Sequence, residues 1–290
     1  MYPSDELRAR LGEVEPYPTD VCAVPQPLPY SAFFPGGAGV ILGEDGSKPP
    51  FPFGQVMIVG HNFYNLAGFE KMQMRQARDA GTPTWRNLTA TLKRADIALE
   101  SCFFTNAYQG LMETTSSMGA FPGARDADFV ERCRAFFRVQ LSVCQPRLVL
   151  TLGVHVPPFL APLSDDLGAK WRGEKKPLTF AQIDENGGGL IQTGVRDAEG
   201  KERKLTFVAM THPAQQWPNV RRRRYGNLES LEAEEALLRA GLELSGVKQP
   251  NFPLRGTFGE IHDPFEPAVA PHDWDALSQD ELMSGETHEP

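Results

Sequence analysis

Four kinds of side chain stand where this chain could do chemistry. His61, Asn62, Phe63 and Tyr64 directly follow the apolar run QVMIVG at 55–60. Asn106 closes SCFFTN at 101–106, and His212 sits in a Thr-His-Pro triplet behind the apolar stretch 204–210. An Asn amide presents a donor and an acceptor on one planar edge, so it can read a planar hydrogen-bonding partner, but it cannot take up a proton. An imidazole can donate to developing negative charge or accept a proton near neutral pH. Phe63, Phe69 and Trp85 compete as faces on which a flat ligand could stack. Further on, Gln215-Gln216-Trp217 precede a run of four arginines, Arg221, Arg222, Arg223 and Arg224, whose guanidinium groups suit phosphate oxygens. Each type has an ordinary structural use as well. A strand-end Asn closes turns, a lone His caps a carbonyl, most aromatics are core, and an arginine run is a solvated face.

The elements that must carry these residues follow from pattern. The runs 55–60, 101–106 and 147–152 (RLVLTL) read as buried strands, and 190–194 and 204–210 read as further strands. Helical periodicity covers 85–95, with Thr84 as N-cap, and 126–144, with Phe129, Cys133, Phe136, Phe137 and Leu141 toward one face. Another helix begins within 153–160, and 227–244 is amphipathic. Residues 184–189 (DENGGG) read as a turn, and no GK[ST] follows that would make them a phosphate loop. Apolar strands alternating with helices predict a single-domain α/β fold, a three-layer sandwich around a central mostly parallel β-sheet. In such sheets ligands sit outside the carboxyl ends of strands, which directs attention to His61–Asn65, Asn106, Leu152-Gly153 and Thr211-His212-Pro213.

The expected organisation is an irregular Pro- and Gly-rich N-terminal wrap over 1–54 with a short helix at 5–11, an α/β domain over 55–250, and an acidic tail over 251–290 without fixed structure. No internal repeat is visible. The 290 residues carry a net charge of −8, an unpromising sign for binding a polyanion. The charge is unevenly placed: 257–290 holds nine acids and no Lys or Arg, and without it 28 acids face 29 bases. The body is thus near neutral with a local arginine patch, which matters more for phosphate contact than total charge. No run of about 18 apolar residues spans a membrane, and the charged N-terminus lacks the apolar centre of a signal peptide. A cytoplasmic monomer is expected, with Cys22, Cys102, Cys133 and Cys144 as reduced thiols and Cys102 as a small core residue. No C-x-x-C pair is present, so no zinc site, metal or cofactor is expected.

In order along the chain, these strand ends resemble the uracil-DNA glycosylase superfamily over roughly 55–226. Gly60-His61-Asn62-Phe63-Tyr64-Asn65 is similar to the GQDPYH motif of the uracil-specific branch, with Asn62 matching the Asn of the mismatch-directed branch. Pro83-Thr84-Trp85-Arg86-Asn87-Leu88 resembles the family's PPSLxN helix, Thr105-Asn106 its base-reading asparagine, Leu152-Gly153 its LG pair, and His212-Pro213-Ala214 its HPS motif. Phe63 replaces the usual Pro, and although Cys133 falls near an iron–sulfur ligand position, the N-terminal C-x-x-C of the cluster-bearing branches is missing, so no cluster is expected.

The resemblance implies a base-flipping hydrolase of DNA base excision and repair. Asn106 would read the base edge, His212 would stabilise negative charge on the departing base as a neutral imidazole, and Asn62 would position water. His61 would lend its backbone N–H or serve as the base itself. Tyr64, if turned inward, would exclude C5-substituted pyrimidines; turned outward, it would admit them. Gln215, Gln216 and Trp217 would wedge into the base stack, and Arg221–Arg224 would clamp phosphates of single- or double-stranded DNA. Two alternatives stand beside this: a glycosylase for modified phage bases acting in defence, and a catalytically weak DNA-binding or damage-sensing module. In the second, the acidic tail would bind a protein partner or cover the arginine patch.

Overall fold

The computed structural model describes residues 1–43, 45–75, 82–113 and 121–248. The acidic tail lies outside the described residues. In chain order the elements are helix α1 (Pro3–Ala9), strand β1 (Val21–Cys22), β2 (Val56–Gly60), α2 (Leu66–Arg75), α3 (Pro83–Arg94), β3 (Cys102–Asn106), β4 (Leu111–Met112) and α4 (Ala127–Cys144). There follow β5 (Leu148–Leu152), α5 (Val156–Leu160), α6 (Asp165–Trp171), α7 (Phe180–Glu185), β6 (Leu190–Arg196) and β7 (Glu202–Met210). The last elements are α8 (Gln216–Val220), β8 (Arg224–Tyr225), β9 (Leu228–Glu229) and α9 (Ser230–Ser245).

The central sheet has the order β3-β2-β5-β7-β6. Strands β3, β2, β5 and β7 are mutually parallel, and β6 pairs antiparallel with β7 at the edge. Every residue of β2, β3 and β5 is buried, as expected of parallel strands covered on both faces. Alternation sends Met57, Val59, Phe103, Val149 and Phe207 into one core with Phe129, Phe136 and Phe137 of α4 and Trp171 of α6. The residues between them, Val56, Ile58, Phe104, Leu150 and Val208, meet Trp85, Leu88 and Leu92 of α3 and Leu237 and Leu238 of α9. The result is a single α/β domain of three layers. The N-terminal segment adds Leu7, Val14 and Phe34 to the first core, and its backbone bonds to β3 through Phe34 N–H to Phe104 O (3.0 Å) and Phe104 N–H to Gly39 O (2.8 Å). Among the described residues no helix is long and apolar enough to cross a membrane.

Local chemistry sets the helix boundaries, with several departures from the sequence reading: the first helix is Pro3–Ala9 rather than 5–11, and three others have a visible cause. The cap of α3 is Thr82, not Thr84: its side chain accepts from Trp85 N–H, and Pro83 occupies the first turn, where a missing N–H costs nothing. The stretch 184–189 is a turn only from Asn186 onward, because Asp184 and Glu185 end α7; Gly187 then takes φ +63° and Gly188 N–H returns to Ile183 O at 2.7 Å. Helix α9 begins at Ser230 rather than 227, because 224–229 turns back on itself as the β8–β9 hairpin around Gly226 at φ +57°. The long helix α4 starts where expected, with the Asp126 carboxylate accepting from Phe129 N–H at 2.9 Å.

Candidate active site

Because β3, β2, β5 and β7 run parallel in register, Gly60 sits beside Asn106 and Leu152 beside Met210 at one edge of the sheet. Strands β3 and β7, the first and last of the parallel set, are three steps apart, roughly 14 Å at about 4.8 Å per step. Side chains reaching inward from both ends can bracket a single planar ligand across that width.

Asn106 is buried, 3% exposed, and its Nδ2 donates to Phe34 O at 3.1 Å. That bond turns Oδ1 toward Gly60, where a Cβ would lie only 2.4 Å from it. Glycine at 60 is therefore a requirement of the Asn106 side chain. Gln109 Nε2 donates to Asn106 O, and the β2–β3 ladder continues past the strands through Ala107 N–H to Gly60 O (2.8 Å) and Tyr108 N–H to His61 O (3.0 Å).

The His61 ring lies against Tyr108, Phe121 and His155, with centroids 5.3, 6.3 and 5.0 Å away. Burial pushes its pKa down to about 4, His155 and His212 add to the shift, and a hydrogen bond with the Asn62 side chain opposes it. His61 is thus neutral at pH 7 and a weak base. His155 was not singled out from the sequence. It follows Gly153-Val154 at the end of β5, is itself exposed, and desolvation lowers its pKa.

His212 stands directly beyond β7. Its Nδ1 accepts from Ala214 N–H at 3.2 Å. Burial, then His155, lower its pKa, so the ring is neutral at pH 7. With Nδ1 an acceptor, the proton sits on Nε2, which becomes the donor. Gly153, at φ +85°, lets the loop approach closely, since a Cβ there would lie 3.2 Å from His212 Cβ. Helix α3 holds the same loop: Asn87 Nδ2 donates to Pro213 O at 2.8 Å, and Gln216 Nε2 donates to Thr91 Oγ1 at 3.0 Å.

Several expected contacts are corrected. Gln216 is buried and spent on Thr91, so it cannot wedge into a base stack in this conformation, whereas Gln215 is exposed and Trp217 is 60% exposed. Phe69 is fully buried with Leu28 and Leu111 behind Phe63, so it offers no stacking face. Half-buried Phe63 lies over Gly36, and Tyr64 packs on Gly68 in the first turn of α2 with its ring 5.7 Å from that of Phe63. The arginine run divides. Arg221, Arg222 and Arg224 are exposed, whereas Arg223 is wholly buried between Asp184 (3.0 Å) and Glu234 (3.5 Å), over the Phe180 ring. It is a structural cation, not a phosphate clamp.

Among the described residues no three His, Cys, Asp or Glu side chains are grouped to hold a metal ion. A cavity of about 400 Å³ lined by Met1, Glu6, Arg10, Phe53, Ser142 and Glu199 lies near the starts of β2 and β7, away from these groups. No protein-family model matches the chain, and no curated protein sequence matches it.

Proposed function

We propose that this protein is a DNA N-glycosylase that flips a pyrimidine out of the stack and hydrolyses its glycosidic bond. The observation carrying the reading is the convergence of Asn106, the His61–Asn62 pair and a neutral His212 at one sheet edge, from separate parallel strands. Extrusion of the base costs a few kcal/mol of unstacking. Exposed Trp217 is suited to fill the vacated space, and Arg221, Arg222 and Arg224 are suited to hold flanking phosphates. Asn106 is the candidate to read the base edge, with the amide capacity left beside its bond to Phe34 O. As the bond from the base nitrogen to C1′ breaks, its electron pair goes to the base. His212 Nε2–H is the donor toward that charge, a type of interaction worth about 3 kcal/mol in the transition state. Water held by Asn62 adds to C1′ and releases its proton to solvent, because neither the amide nor His61 at a pKa of about 4 takes it readily.

Among the described residues, Asn62 and His61 supply no strong base, and this favours one second reading, a DNA-binding or damage-sensing module in which chemistry is slow or lost. Both readings are tested by base release from single- and double-stranded oligonucleotides carrying uracil, mismatched thymine, hypoxanthine or C5-modified cytosines. Release that falls about 100-fold or more in His212→Ala with DNA binding retained supports the enzyme. Binding without release from any base supports the sensor, and neither binding nor release removes both.

A further inference from the structure

Thr211 lies between the last residue of β7 and His212, and it is held by a single side chain of α9. Glu234 Oε2 accepts from Thr211 N–H at 2.8 Å and Glu234 Oε1 accepts from Thr211 Oγ1–H at 2.8 Å. Glu234 is 1% exposed and Thr211 1% exposed, so the pair is shielded from competing water. The carboxylate is itself fixed from below. Buried Arg223 stands 3.5 Å from Glu234 Oε2 and donates to Ala209 O on β7. Its Nε also approaches Asp184 Oδ2 at 3.0 Å, and Asp184 accepts from Arg224 N–H at 2.8 Å. A buried carboxylate and a buried guanidinium are costly to keep in a protein interior, and here they bond to Thr211 and Ala209, just before His212.

We infer that Glu234, seated by Arg223, is a positioning residue that sets the direction of the His212 imidazole through its two hydrogen bonds to Thr211. Fixing the N–H and hydroxyl of Thr211 fixes the backbone that launches His212. The Ala214 N–H to Nδ1 bond then completes the ring's orientation and keeps the proton on Nε2. The meaning of this for turnover rests on the glycosylase reading, whereas the orientation and tautomer are properties of the free protein. A catalytic donor displaced by about 1 Å loses as much as 100-fold in rate, which gives a buried device of this kind its value.

The test uses the full chain with three substitutions. Thr211→Ser keeps both bonds to Glu234, Thr211→Val keeps the shape but loses the hydroxyl, and Glu234→Gln removes the charge. Two quantities are read: kcat and KM for base release, and the ring-nitrogen resonances of ¹⁵N-histidine-labelled protein, with His212 assigned from His212→Gln. The expected result is wild-type behaviour for Thr211→Ser. Thr211→Val is expected to lower kcat about tenfold or more, leave KM within about twofold, and mix the tautomers of His212. Glu234→Gln should do the same where it folds, and the serine–valine pair decides the matter if it does not. Wild-type kcat and an unchanged His212 signature in Thr211→Val overturn the inference, as does a rise in KM that tracks the loss of rate. If the wild-type protein releases no base, the glycosylase reading fails, and the resonances alone still decide whether Thr211 and Glu234 orient His212.

Discussion

The division of the four-arginine run makes a sharp prediction, because four identical residues should behave in two different ways. Arg223→Ala removes a side chain of 0% exposure that lies between carboxylates of 2% and 1% exposure. Truncating one partner of such a buried group leaves uncompensated charge and costs about 3–5 kcal/mol. In a domain of this size that is a drop of roughly 10 °C in Tm. Arg222→Ala, on the exposed side, should change stability by less than about 0.5 kcal/mol. Urea denaturation at pH 7.5 measures both. Burial already holds the Asp184 carboxyl above its ordinary value even with Arg223 beside it. Without the guanidinium, the folded-state Asp184 carboxyl rises further above its unfolded value, so its neutral form favours folding as pH falls. The deficit of Arg223→Ala should therefore shrink toward pH 5. DNA binding should show the opposite division. Arg222→Ala should flatten the dependence of log K on log salt by about 0.9 for each phosphate it no longer neutralises. An Arg223→Ala variant destabilised by less than about 1 kcal/mol, or an Arg222→Ala variant destabilised as much as Arg223→Ala, would refute the reasoning.

Gly60→Ala should cost about 1–3 kcal/mol, because its Cβ meets Asn106 Oδ1 at 2.4 Å; a double-mutant cycle with Asn106→Ala should give a coupling above about 0.5 kcal/mol, and simple additivity would contradict the clash. Trp217→Ala should leave the urea midpoint unchanged, since the ring is 60% exposed, yet weaken base release from duplex more than from single strands; equal loss on both would count against a wedge. His61 is held near 4 in the folded state against 6.5 unfolded. Its contribution is fully present above pH 6.5 and is lost as pH falls toward 4, where the unfolded chain binds a proton that the folded one refuses. The loss should approach about 3 kcal/mol, and His61→Gln should flatten stability between pH 6.5 and 4; an unchanged slope would show that His61 is not the responsible group.

The strands were legible because parallel strands are buried on both faces and so appear as unbroken apolar runs, as in 55–60 and 147–152. Reading their carboxyl ends singled out Asn62, Asn106 and His212 as candidates, and the structure sets the ends of those parallel strands along one side of the sheet. What was not legible depends on partners distant in sequence. Nothing local distinguishes Arg223 from its neighbours; its carboxylates come from α7 and α9, and the β8–β9 hairpin decides which arginine turns inward. Gln216 differs from Gln215 only because Thr91 lies beneath it. Phe69 falls behind Phe63 because Leu28 and Leu111 close over it. His155 carried no spacing signal, and only the adjacency of β5 to β2 sets its ring beside His61.

The distribution of buried polar groups has a consequence for how such a site would work. On the glycosylase reading Asn62 would hold water but could not take its proton, and His61 is kept a weak base, so rate would have to come chiefly from charge stabilisation. Stabilisation of that kind depends on a donor already fixed before the reaction, since a mobile donor spends its interaction energy on becoming ordered. The 211–216 loop meets that demand from two sides. Helix α3 holds Pro213 and Gln216 through Asn87 and Thr91, and helix α9 holds Thr211 through Glu234. Both helices belong to the layer packed on Ile58, Leu150 and Val208, so the core that stabilises the fold also sets the position of His212. Cavity-forming changes at Leu88 or Leu237 are therefore expected to lower turnover out of proportion to their distance from the strand ends, by loosening the two clamps rather than by removing any group that touches a base.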